Sequence, residues 1–222
     1  MSLSSEEIYR KLLHGFALIL PAAIFYGPDM LGLRPHPIDQ TIISLYLGVV
    51  LVFSLSIEAL RLRKSSFSRI FNLCFGSMLR SEEAKQLTGA TYIFAGSFFC
   101  SLMAINGRVA AASAFLALTL FILGDAAAAL VGKSLGRTRI GGKTLEGALG
   151  CFTLCFLLSF GVFPILPDFT SVWGEIFWTD AFFLSAMVAI LELFPVRVGK
   201  TILNDNLYVP AITTLAAIVM GG

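Results

Sequence analysis

Three carboxylates fall inside apolar runs that should hold none: Glu58, Asp125 and Glu192. An ionisable group in a membrane-type apolar span is costly and marks a place where charge is needed. The stretch Gly124 to Gly150 adds more. After Asp125 come small residues, Ala126 to Ala129 and Gly132, and then a loop with Gly136, Gly141 and Gly142 among Lys133, Arg137, Arg139 and Lys143. Glycines free backbone N–H groups, and the cations add charge, so the loop suits phosphate oxygens. The helix start at Thr144 and Leu145 adds its dipole. An acid facing such a loop suits a magnesium-bound polyphosphate, because Mg2+ takes one or two carboxylates and keeps waters or phosphate oxygens. Asp125, with Glu146 or Asp205, would be its ligands.

Each feature has a plainer alternative. Small residues let helices approach closely. Glu146 suits a helix start, Lys143 a membrane surface, Asp205 an N-terminal cap. His14 reads as a packed helix-end residue. None of these readings accounts for Asp125. Gly142, Lys143 and Thr144 look like the end of a nucleotide-binding P-loop, but the first glycine of that motif would stand at Arg137. The strand–loop–helix context is also missing, which excludes it.

The elements that must position these groups follow from composition. The chain has 222 residues, 57% hydrophobic and only 14% charged, against roughly 25% charged in a soluble domain. Its mean hydropathy is +0.85. Such a chain has too little polar surface to cover a soluble globule, and disorder and coiled coil are excluded. A net charge of +2 is too small for a nucleic-acid binder. The expected fold class is an all-α polytopic membrane protein, with residues 1–222 as one domain. Cys74, Cys100, Cys151 and Cys155 form no metal-type spacing and read as small apolar residues. Arg10 and Lys11 before an apolar stretch resemble a signal peptide. With no small-residue cleavage site following, the first helix is expected to stay.

A bilayer core of about 30 Å needs about 20 apolar residues per helix. The apolar runs predict seven transmembrane helices: Leu12 to Leu31, Thr41 to Leu60, Leu87 to Ile105, Val109 to Gly132, Ala148 to Leu166, Trp178 to Phe194 and Asp205 to Gly222. Between the second and third, Arg61 to Gln86 carries apolar Phe67, Ile70, Phe71, Leu73, Cys74, Met78 and Leu79 between basic flanks. It reads as an amphipathic segment on the cytoplasmic membrane surface, with a connector packed on the bundle as the alternative. Fourteen basic residues lie on the side of the N-terminus and two, Arg34 and Arg108, on the other. The basic side is therefore expected to be cytoplasmic. In that topology Glu58, Asp125, Glu192, Asp205, Asn206 and His14 all fall near the cytoplasmic face.

The segment GDAAAALVGKSLGRTRIGGKTLEG, residues 124–147, resembles the signature of the CTP-dependent lipid kinases. That family comprises dolichol kinase, phytol kinase and the yeast-type diacylglycerol kinase, and is related to phosphatidate cytidylyltransferase. Three weaker elements agree: Arg10, Lys11 and His14; Glu58 and Arg61 with Phe71, Asn72, Leu79, Arg80 and Glu82; and Asp205, Asn206 and Pro210. The likeness runs from Arg10 to Pro210. It implies transfer of the γ-phosphate of CTP to the hydroxyl of a membrane lipid alcohol, with Mg2+. Asp125, Lys143 and Asp205 would be catalytic. Arg10, Lys11, Gly132, Gly141, Gly142, Lys143, Thr144, Glu146 and Asn206 would bind nucleotide and phosphate. Asp125, Glu146 and Asp205 would hold the metal. The family often has two acids before the asparagine; here the first position is Asn204, which leaves Asp205 alone.

The rival cytidylyltransferase normally continues with a histidine-glycine-glycine and a DRxD element, and the sequence has neither. A small transporter would also use intramembrane acids, but it should show internal repeats and broken helices at the midplane; no repeat between halves is evident, and the acids lie off-centre. The lipid (polyprenol or dolichol, diacylglycerol, phytol), the general base (Asp125, Glu58 or Glu192) and a homo-oligomeric state stay open. A bacterial inner membrane is the expected setting.

Overall fold

The computed structural model describes residues 15–33, 38–76, 79, 82–199 and 201–221. It is helical with almost no sheet, as the apolar composition requires. The helices are α1 (Ile19–Met30), α2 (Ile38–Arg63), α3 (Ser65–Phe75), α4 (Gly89–Ala104), α5 (Arg108–Ser134), α6 (Leu145–Leu157), α7 (Phe169–Trp173), α8 (Trp178–Leu193) and α9 (Asp205–Met220). One π turn and one 3-10 turn extend α6 to Ile165.

α5 is the axis. Nearly every side chain from Ala110 to Gly124 is buried, and α1, α4, α6, α8 and α9 pack on it. Its alanines and Gly124 make this closeness possible: a Cβ at Gly124 would lie 2.8 Å from Cys151 Sγ and 2.9 Å from Cys155 Sγ. Those two thiols are buried, as expected of small apolar residues, whereas Cys74 is exposed. At the end opposite the glycine-rich loop, Phe25 stacks on Phe115 and Phe169 on Trp173, and Phe163 meets Phe115 and Phe169 edge-on. The Trp173 indole N–H donates to Ser113 Oγ at 2.9 Å.

Outward faces are apolar. Leu45, Tyr46, Val49, Val52 and Phe53 of α2 are exposed, which suits lipid rather than water. Seven spans are expected; among the described residues three helical stretches are long and apolar enough to cross a membrane: Ile38–Arg63, Arg108–Ser134 and Leu145–Ile165. α4 and α9 are apolar but have 16 residues each, about 24 Å at 1.5 Å per residue, short of the hydrocarbon core. α8 also has 16. α1 has 12, and the first expected span begins among residues outside those described. The expected amphipathic segment contains α3, which buries none of its side chains; Ile70, Leu73 and Phe75 are exposed.

Candidate functional site

The basic glycine loop is a β-hairpin. Strands β1 (Arg139–Ile140) and β2 (Lys143–Thr144) pair Arg139 with Thr144 and Ile140 with Lys143. Gly141 turns the chain at φ +62°, a conformation that costs little only for glycine. Gly142 has open space where a Cβ would stand. Leu145 N–H donates to the Thr138 carbonyl, closing the hairpin. Thr138 N–H donates to both oxygens of Glu146 at 3.0 and 3.2 Å. Thr144 Oγ1 then caps α6 by accepting from Gly147 N–H at 3.1 Å.

Glycines seat this hairpin against α5. A Cβ at Gly132 would lie 2.7 Å from Thr144 Oγ1, and one at Gly147 would lie 2.7 Å from the Ala128 carbonyl oxygen. Gly132 and Thr144 therefore position the loop by contact with each other.

The seating aims Lys143 at two acids. Its Nζ lies 2.6 Å from Glu192 Oε1, at the end of α8, and 2.7 Å from Asp205 Oδ2, in the first turn of α9. Burial pulls the Lys143 ammonium toward neutrality, but Glu192 and Asp205 outweigh it and hold its pKa above the ordinary lysine value. Asp125 lies close enough to act electrostatically on Glu192. Glu192 is 4% exposed, and its second oxygen, Oε2, is buried without a hydrogen-bond partner.

Asn206 donates from Nδ2 to the Gly89 carbonyl at 3.1 Å, tying the start of α9 to the start of α4. Gly96 permits that approach, since a Cβ there would collide with the Asn206 carbonyl oxygen. Glu146 is engaged at Thr138 and does not converge with Lys143, Glu192 and Asp205. Arg10, Lys11 and His14 lie outside the described residues. Among the described residues no group of three acidic, histidine or cysteine side chains is arranged to hold a metal by itself.

Glu58 has a different environment. Its Oε1 accepts from Thr88 N–H at 3.0 Å and Thr88 Oγ1 at 2.6 Å. Its Oε2 accepts from Arg61 Nε at 2.7 Å. Arg61 donates onward to the carbonyls of Glu83 at 2.8 Å and Gln86 at 2.6 Å. Glu58 and Arg61 are 2% and 4% exposed. This satisfied pair anchors the connection into α4, and Glu83 Oε1 accepts from Gly89 N–H at 2.8 Å.

Two features escaped the sequence reading. The first is the contact of Glu192, expected only as an intramembrane acid and candidate general base, with Lys143. The second is a local repeat. Strands β3 (Arg197–Val198) and β4 (Thr201–Ile202) form another hairpin, pairing Arg197 with Ile202 and Val198 with Thr201. Gly199 turns it at φ +61°, and Leu203 N–H closes it on the Val196 carbonyl. Every one of these features sits at one constant offset from the first hairpin. Each hairpin also leads into a capped helix, Asn204 Oδ1 accepting from Asn206 N–H at 3.1 Å. The signal was Arg139-Ile-Gly-Gly-Lys-Thr-Leu145 against Arg197-Val-Gly-Lys-Thr-Ile-Leu203, blurred by a shift of one residue after the turn.

No protein-family model matches the chain, and no curated protein or solved structure matches it.

Proposed function

We propose that this protein is a CTP-dependent kinase of a membrane lipid alcohol, built from seven membrane-embedded helices with its site at the cytoplasmic face. The observation that carries the reading is the meeting of Lys143, Glu192 and Asp205, beside Asp125, under a basic glycine hairpin. An acid cluster around one lysine at the end of an apolar bundle suits a phosphate chain reaching in from water and a hydroxyl arriving from lipid. The resemblance of residues 124–147 to the lipid-kinase signature supplies the nucleotide and the reaction. The exposed apolar faces of α2 and the unburied α3 support the membrane setting, and the bias of basic residues supports the sidedness.

In the reaction the lipid hydroxyl oxygen bonds to the γ-phosphorus, and the bond from that phosphorus to the β–γ bridging oxygen breaks. Its electron pair leaves on CDP, and the hydroxyl proton passes to a carboxylate or to water. Such transfers need positioning and charge neutralisation more than covalent help. Lys143, with Arg10 and Lys11, would hold the triphosphate, and the hairpin would cover it. Asp125 and Asp205 would hold Mg2+; the orphaned Glu192 oxygen beside them is the feature that fits a cation here. The ion would supply charge neutralisation of the phosphates. Glu58 is spent on Thr88 and Arg61, which argues against it as the acceptor of the hydroxyl proton.

The purified protein, given magnesium and a panel of lipid alcohols, should label lipid from γ-labelled CTP and not from α-labelled CTP. Label from the α position on phosphatidate would assign the chain to cytidylyl transfer instead.

A further inference from the structure

We infer that Glu192 and Asp205 are ligands of a divalent cation, and that the Lys143 ammonium competes with that cation for them. The inference deepens the phosphotransfer reading by adding Glu192 to the ion's ligands and giving Lys143 two positions; the ion seat itself does not depend on which substrate is used.

A carboxylate has about four acceptor sites, and one buried from water must fill them from the protein or from a ligand. Oε1 of Glu192 is filled by Lys143 at 2.6 Å. Oε2 is buried and has no partner, in a residue 4% exposed. Asp125 and Asp205, both negative, also act on it electrostatically. Two carboxylate oxygens on one ammonium, with a further oxygen unfilled, is an arrangement that a doubly charged, oxygen-seeking ion satisfies better than a lysine does. Magnesium-type ions need only one or two carboxylates when phosphate oxygens and waters complete the shell, so two protein ligands suffice.

Lys143 is suited to leave. It stands on a two-residue strand beside Gly141 and Gly142, and its long side chain ends in a compact charge with three rotatable donors. Released from the acids by the ion, the ammonium is free to meet an anion, and the nearest source is the phosphate chain of an incoming nucleotide. Withdrawal of Lys143 by phosphate likewise leaves two carboxylates that the ion neutralises. Ion and nucleotide should therefore bind with positive, reciprocal coupling.

The test is Mn2+ titration of the purified full chain in detergent, followed by electron paramagnetic resonance, with no lipid present. One saturable site, displaced by Mg2+, is expected in the wild type. Glu192→Gln and Asp205→Asn should each weaken it by about tenfold or more. Lys143→Met should tighten it, because the competitor is gone, and should lose the gain in Mn2+ affinity that CTP gives the wild type. If Glu192→Gln does not fold, the Lys143→Met result decides alone. Unchanged Mn2+ affinity in Glu192→Gln, no tightening in Lys143→Met, or no bound Mn2+ in any variant would overturn the inference. Such a failure alongside intact label transfer from CTP would remove the ion seat and leave the kinase reading standing; bound Mn2+ without label transfer would do the reverse.

Discussion

Lys143 and Asp205 are 62 residues apart in sequence and 2.7 Å apart in space. One sits on a hairpin, the other at the start of a capped helix, and Glu192 meets the same ammonium from a third element. The contact thus fixes the relative placement of three chain segments: the hairpin, the end of α8 and the start of α9.

Removing the ammonium should be felt as stability first. Lys143→Met leaves Glu192 buried without its counter-charge, which should cost roughly 2 kcal/mol, below the 3–5 typical of a fully buried pair because Lys143 and Asp205 are partly exposed. The Lys143 pKa is raised in the fold, so its contribution is fully present below the unfolded lysine value of about 10.4 and is lost as pH rises through the higher folded value. Thermal unfolding of wild type and Lys143→Met should differ by a steady gap from pH 7 to about 10, closing only above that. A gap that closed between pH 7 and 9 would refute this account of the lysine.

Glu58 should behave as a structural acid. Glu58→Ala strands a buried Arg61 and should cost about 3–5 kcal/mol. In a Glu58→Gln, Arg61→Met cycle the two losses should fall short of additive by about 1–3 kcal/mol. Variants that remain folded should keep their turnover per folded molecule. A folded Glu58→Gln protein with normal melting and no activity would put Glu58 in the chemistry instead.

Gly96 and Gly147 hold helices together at two crossings. Gly147→Ala would press on the Ala128 carbonyl and Gly96→Ala on that of Asn206, costing about 1–3 kcal/mol each by overpacking. The Gly96 change should also shift the start of α9 and with it Asp205. Its expected mark is a loss of catalytic rate larger than that of Gly147→Ala at matched stability, read from kinetics and melting on the same preparations.

The two hairpin glycines make a matched pair. Gly141→Ala and Gly199→Ala both force a non-glycine residue to φ near +60° and should each destabilise by about 1 kcal/mol. Gly142→Ala meets no neighbour and should be near neutral in melting temperature. Equal destabilisation by all three would contradict the hairpin geometry.

The helical class and the approximate positions of the helices were legible because long apolar runs leave the backbone no other solution. The ends of α4, α8 and α9 fall within a few residues of the expected spans; what hydropathy does not register is that 16 residues fall short of a core of about 30 Å. Asp125 was legible as a charge in an unlikely place, and Lys143 and Asp205 through the basic glycine loop and the motif resemblance. Which oxygen touches which ammonium was not, since it depends on glycine-permitted crossings such as Gly132 against Thr144. Glu146 shows the limit of reasoning from spacing, because its carboxylate is engaged by Thr138 in its own loop. Glu58 shows it too: a span acid is indistinguishable in sequence from a catalytic one until Arg61 and Thr88 are seen around it.

The most direct test of the central claim is transfer of label from γ-labelled CTP to a lipid alcohol by the purified protein with magnesium, beside Asp125→Asn and Asp205→Asn. The account expects labelled lipid phosphate from the wild type, little or none with ATP as donor, and a fall of at least about a hundredfold in either variant, in line with the loss of a charge that stabilises the transition state. Wild-type protein that labels no lipid across diacylglycerol, polyprenol and phytol acceptors, while folded and supplied with both nucleotides, would contradict it.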